Sequence, residues 1–176
     1  YGVVTGTIAM GCWVNAHECG NHAFHPNRRI EGIVGFVLHS ILLVPYYSWA
    51  HSHAVHHAHC NHLELGETHV PPRATSPMGR TTEQLKQRLN PTVFGIISLF
   101  NHLVIGWQLY LFLGATGGED YDSHPSHFWN RKHNFNGKRR LFPHSFGKWM
   151  LRSNLGLLAM VALLITCLLY TSDAAD

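Results

Sequence analysis

Four apolar stretches divide the chain: residues 1–14 (YGVVTGTIAMGCWV), 30–47 (IEGIVGFVLHSILLVPYY), 93–113 (VFGIISLFNHLVIGWQLYLFL) and a leucine-rich helical pattern from 155 onward. Crossing a bilayer takes about 20 predominantly apolar residues, a length that 93–113 reaches, and Trp107 and Tyr110 within it suit a membrane interface. Glu31, His39 and Pro45 interrupt the second stretch, which therefore reads equally as a re-entrant or interfacial helix. The first has no charged region before it and does not resemble a signal peptide. It reads instead as the second half of a membrane helix that begins before Tyr1. The pattern predicts an all-α chain, an integral membrane helical bundle rather than helices in a large soluble core.

Two polar connectors separate these stretches, 48–91 and 114–154. The first contains Pro71, Pro72 and Pro77 and predicts a loop with a short helix over 82–89, capped by Thr81 or Thr82. The second carries Arg131, Lys132, Lys138, Arg139, Arg140, Lys148 and Arg152, against Arg73, Arg80, Lys86 and Arg88 in the first. An excess of Lys and Arg favours the cytosolic side for the second connector. A single crossing at 93–113 would nevertheless put the two connectors on opposite sides, and these two expectations pull against each other.

Composition changes the picture in one respect. Charged residues are only 13% of the chain, against about 25% in ordinary globular proteins, while histidine supplies 16 of 176 residues. Disordered and coiled-coil chains need far more charge and are excluded; ten Asp and Glu leave little for a carboxylate-only site. A net charge of +3, scattered along the chain, gives no nucleic-acid footprint. Cys12, Cys19, Cys60 and Cys167 form no CxxC pair, so a disulfide framework is not expected and a reducing, cytosol-facing setting is.

Eleven of the histidines fall between His17 and His69, in two groups that each follow an apolar stretch: HECGNH (His17 to His22) and HSHAVHH (His51 to His57). In a helix, His53 lies three residues from His56 and four from His57, so all three point to one side. Neutral imidazoles at that spacing suit iron, copper, nickel or zinc. HECGNH differs from the zinc-protease pattern HExxH, because its fifth position is Asn21 and the second histidine comes at His22. Five residues of ideal helix leave His17 and His22 about 140° apart, so both rings reach one metal only if the helix ends or bends near Gly20. Glu18 is a candidate to orient an imidazole, and His39, ionisable within an apolar stretch, is a candidate ligand or supporting residue. His102 carries the same two readings. At most one of His51, His59, His62 and His69 is expected to bind metal. His124, His127, His133 and His144 are expected to be solvated.

WVNAHECGNHAF (Trp13 to Phe24), GFVLHSILLVPYYSWAHSHAVHH (Gly35 to His57) and GWQLYL (Gly106 to Leu111) resemble the membrane fatty acid desaturases, most closely the microsomal delta-12 (omega-6, oleate) group; GGEDYDSHPSHFWN (Gly117 to Asn130) resembles it more loosely. The resemblance implies a membrane enzyme that holds two non-haem irons with three histidine boxes on the cytosolic side of the endoplasmic reticulum. It would use O2 and electrons from cytochrome b5 to place a cis double bond in a fatty acyl lipid, oleate becoming linoleate. His17 and His22 would form the first box and His53, His56 and His57 the second. The group usually has histidine at the position of Asn21, and its third box, [HQ]xxHH, is absent from this sequence. The segment alone is therefore not expected to assemble a complete di-iron centre or to be active. Fatty acid hydroxylases, epoxygenases and acetylenases share these boxes. A zinc-binding membrane transporter or hydrolase is the alternative from another class.

The last ten residues, CLLYTSDAAD, are what TGTCTCTTATACACATCTGACGCTGCCGAC encodes, a sequence that resembles a transposase-type sequencing adapter. The expected organisation is thus a partial desaturase domain over 1–166, followed by an adapter-derived tail over 167–176.

Overall fold

The structure, a computed structural model, describes residues 1–68, 70–114, 117–118, 121, 126–129 and 139–173. Those residues are organised by helices: α1 (Gly2–Gly20), α2 (Arg28–Ile41), α3 (Tyr46–Ala58), α4 (Pro77–Arg88), α5 (Pro91–Phe100), a π-helical stretch (Asn101–Gly106), α6 (Trp107–Leu113), a short 3-10 turn (His144–Phe146) and α7 (Gly147–Asp173). The chain is all-α, as its apolar pattern implies. Pro91–Leu113 and His144–Thr171 are long and apolar enough to cross a membrane. The predicted positions of His69, His124 and His133 lie outside the described residues.

Two compact units divide the molecule. The first is made from the described residues of Tyr1–Ala58, His127–Lys132 and Phe142–Asp176. In it the apolar stretch 30–47 is not one element. It breaks after Ile41, and α2 and α3 meet at 109°. Leu43 takes a left-handed backbone (φ 58°), the Val44 N–H donates back to the His39 carbonyl at 2.8 Å, and buried Pro45 fixes the exit. Glycine lets the helices of this unit approach closely. A Cβ at Gly35 would overlap the Tyr46 ring, and one at Gly156 of α7 would meet Ser40 and Phe36 of α2. Ser153 of α7 accepts from the Tyr47 N–H at 3.0 Å, where the α-helix of α3 has no internal partner to offer.

The second unit holds the described residues of His59–Ser126 and His133–Leu141. Its polar helix is α4, not 82–89: Ser76 caps it by accepting from the Gly79 N–H at 3.1 Å, and Pro77 occupies the first turn. Thr81 falls inside that helix and bonds the Pro77 carbonyl at 3.0 Å. The Ser-Pro start was the stronger signal, since it supplies both the cap and the first turn. Asn90 and Pro91 open α5 in the same manner, and Gly114, left-handed at φ 54°, closes α6.

Candidate metal centre

The first histidine motif begins on the last turn of α1 and runs past its end, and the second lies on the last turns of α3, both in the first unit. Where these ends meet, His17, His53 and His57 each offer a ring nitrogen, and the three nitrogens lie within 4.8 Å of one another. Two nitrogens each about 2.1 Å from one ion are at most about 4.2 Å apart, so a small inward movement brings this set to bonding distance. The His53 ring centroid is 4.6 Å from that of His17 and 4.5 Å from that of His57. The Nε2 atoms of His53 and His57 approach to 3.0 Å, one donating to the other. Neutral imidazole nitrogens are suitable donors for a transition metal, and this set fits one.

Each ring is held from behind. Trp49 stacks on His53 at 4.6 Å with planes 18° apart, Trp13 stacks on His17 at 5.5 Å, and the two indoles meet edge to face at 5.6 Å. Glu18 accepts from His17 Nδ1 at 2.9 Å, which leaves Nε2 of that ring for a metal. Asn21, the cap of α1, reaches the same ring with its amide nitrogen, 3.2 Å from Nδ1 and 3.4 Å from Nε2.

The other predicted residues lie around this group without joining it. The His56 ring is 5.9 Å from His53 and 5.7 Å from His57, centroid to centroid. His22 does not join the three. α1 has ended, His22 has a left-handed backbone (φ 62°), and its Nδ1 lies 3.2 Å from Glu31 Oε2. His39 is wholly buried between Trp13, Tyr46 and Trp49, with its ring 4.7 Å from that of Trp49 and neither nitrogen hydrogen-bonded. His51, the first residue of the second motif, packs on Phe142 and Phe146, and His102 bonds the Ser98 carbonyl at 2.8 Å.

Two contributors are not evident in the sequence. Glu31 reads there as an interruption of an apolar stretch, yet only 1% of its side chain is exposed and it organises the end of the first motif. Oε1 accepts from the Phe24 and His25 N–H groups, both at 3.1 Å, while Oε2 faces His22 and the Arg28 guanidinium, the latter at 3.0 Å. An ionised carboxylate only accepts, so Nδ1 of His22 carries the proton directed at Glu31. His127 corrects an expectation: it is fully buried rather than solvated. Its Nε2 donates to Ser52 at 3.0 Å, and Ser52 in turn donates to the Trp49 carbonyl at 3.0 Å. The bond pins α3 one residue before His53. In the sequence only the looser resemblance of GGEDYDSHPSHFWN marked that segment, and spacing alone does not bring it to Ser52.

The sequence model of the fatty acid desaturases matches residues 1–175. The chain belongs to the fatty acid desaturase family. An omega-6 fatty acid desaturase, endoplasmic reticulum isozyme 2, of Glycine max is 40% identical over 73% of this chain and 32% of its own length. A delta-12 fatty acid desaturase of Calendula officinalis is 37% identical over 91% of this chain and 39% of its own, and a delta-12 fatty acid desaturase of Arabidopsis thaliana is 36% identical over 80% and 35%. This desaturase-family chain thus spans about a third of the length of the curated relatives it matches. No solved structure matches it.

Proposed function

We propose that the chain is the part of a membrane di-iron fatty acyl desaturase that carries its first two histidine motifs, and that the whole enzyme converts an oleoyl to a linoleoyl chain. The carrying observation is the convergence of His17, His53 and His57 from α1 and α3 in a chain whose relatives are named as delta-12 and omega-6 desaturases. Bound there, redox-active iron supplies the oxidising chemistry that an unactivated methylene group requires and that carboxylate or serine cannot provide. His17, His53 and His57 would hold one ion; His22 and His56 are proposed as further ligands that join with histidines of the third box. O2 as co-substrate, cytochrome b5 as electron donor, and an endoplasmic reticulum site with the boxes toward the cytosol belong to the same proposal.

The residues of this chain bind and orient. Glu18 and Glu31 hold protons on Nδ1 of His17 and His22 and so direct the Nε2 atoms outward. Trp13 and Trp49 fix the ring planes and keep water from the rear of the cluster. Asn21 competes for the His17 ring, so a shift of its amide accompanies metal binding.

Expression of the complete coding sequence in yeast, with gas chromatography of the fatty acids, tests the reading. Linoleate is expected, and His53→Ala or His57→Ala should reduce it at least 100-fold, beyond the roughly 10–100-fold expected for losing a supporting partner. A hydroxy, epoxy or acetylenic product would move the enzyme within its family. No new product, with both variants equal to the parent and zinc as the bound metal, would sink the proposal.

A further inference from the structure

We infer that the long apolar helix of the second unit, Pro91–Leu113, does not cross the bilayer but lies in the interfacial zone of one leaflet. The decisive observations are tethers within that unit. Leu65, Gly66 and Glu67 precede the helix by more than twenty residues, yet they are bonded to its far end and to residues just beyond it. The Tyr110 hydroxyl faces Glu67 at 3.5 Å, the Gly118 N–H donates to the Gly66 carbonyl at 2.7 Å, and the Tyr121 hydroxyl donates to the Leu65 carbonyl at 3.1 Å. A Cβ on Gly118 would overlap the Glu64 carbonyl, so the backbones themselves are in contact.

The 23 residues of the helix extend about 35 Å, so Pro91 begins far from those tethers. Residues 70–90 must cover that same distance in the opposite direction. If the helix crossed the membrane, this return segment would have to cross as well. It cannot do so: Arg73, Arg80, Glu83, Lys86 and Arg88 are all exposed on it, and a charged side chain in hydrocarbon is strongly unfavourable.

The helix has the surface that an interfacial position needs. Val93, Ile96, Ile97, Phe100 and Val104 recur at helical spacing and are 44–63% exposed. Ser98, Asn101 and His102 follow another side, where the π-helical stretch begins and His102 bonds back to Ser98. Arg80, Lys86 and Arg88 on α4 then lie at the level of the lipid phosphates, which is the complementary charge. The interfacial placement also puts both polar connectors on one side, which removes the conflict between the positive-inside preference and a single crossing.

The chain reconstituted in phosphatidylcholine/phosphatidylserine vesicles tests this, with Cys12, Cys60 and Cys167 changed to serine and buried Cys19 left in place. Nitroxides placed singly from position 93 to 104 should show oxygen and nickel-chelate accessibilities that oscillate with the helical repeat, Ile97 and Phe100 deep and Ser98 and His102 wet. In sealed vesicles, Gln84→Cys and Ser145→Cys should react with an impermeant maleimide from the same side. A single broad depth maximum at mid-helix, with Ile97 and His102 equally deep, would overturn the inference, as would labelling of Gln84→Cys and Ser145→Cys from opposite sides. Shielding of Ile97 and Phe100 from both oxygen and nickel chelate would overturn it in favour of a covering protein.

Discussion

Glu31 in the first unit and Glu67 in the second are both withdrawn from solvent, at 1% and 2% exposure, and their surroundings differ. Glu31 meets four donors, two backbone N–H groups, a guanidinium and an imidazole. Glu67 has the Thr68 hydroxyl and a long contact to that of Tyr110, and no cation within hydrogen-bonding distance among the described residues. Burial pushes its carboxyl up to about 7. A buried carboxylate surrounded by donors serves as a fixed anion that can orient an imidazole, whereas one given only hydroxyls is held as a neutral acid through much of the ordinary pH range. Donor number and charge, not depth of burial, separate the two roles.

Substituting each acid tests the contrast, and Glu31→Gln should have the largest effect. The amide keeps the shape and can still accept from Phe24 and His25. Its NH2 group, however, would then face His22 and favour the opposite tautomer, with the proton on Nε2. Affinity for ferrous or cobaltous ion, followed by titration of the enzyme, should fall roughly 10–100-fold, and the imidazole nitrogen shifts of His22 should exchange. Unchanged shifts would show that Glu31 does not set that ring.

Glu67 should next reveal itself in the pH dependence of stability. Its pKa is higher folded than the ordinary 4.5, so the folded state holds the proton more tightly. Stability from this group is complete below pH 4.5 and declines as pH rises through 7, by on the order of 3 kcal/mol in all. Thermal unfolding of Glu67→Gln across that window should lose this slope; an unaltered slope would assign it to another group. Tyr110→Phe, which removes one long hydrogen bond, should cost about 1 kcal/mol or less. The mildest change is Glu18→Gln. Its carboxylate is 42% exposed, and metal affinity should fall by no more than about fivefold, the effect of a solvent-screened pair worth about 1 kcal/mol.

Local rules account for the features that the chain determines by itself. Helix, apolar stripe and the grouping of His53, His56 and His57 follow from spacing along a single element, and the family resemblance rested on the same contiguous residues. The all-α class could therefore be read without coordinates; which of the five proposed ligands, His17, His22, His53, His56 and His57, come together could not, and the structure groups three of them. Tertiary structure decided the rest, because it depends on residues distant in sequence. The bend at residues 42–45 turns one apolar stretch into two helices. Trp13 and Trp49 come together only when α1 meets α3. His127 reaches Ser52 across 75 positions. Glu31 looks like a flaw in an apolar run until the loop 22–25 folds over it and supplies its donors. Leu65 and Tyr121, with an entire apolar helix between them, are joined by one hydrogen bond, and that long-range closure, not hydropathy, is what argues against a crossing.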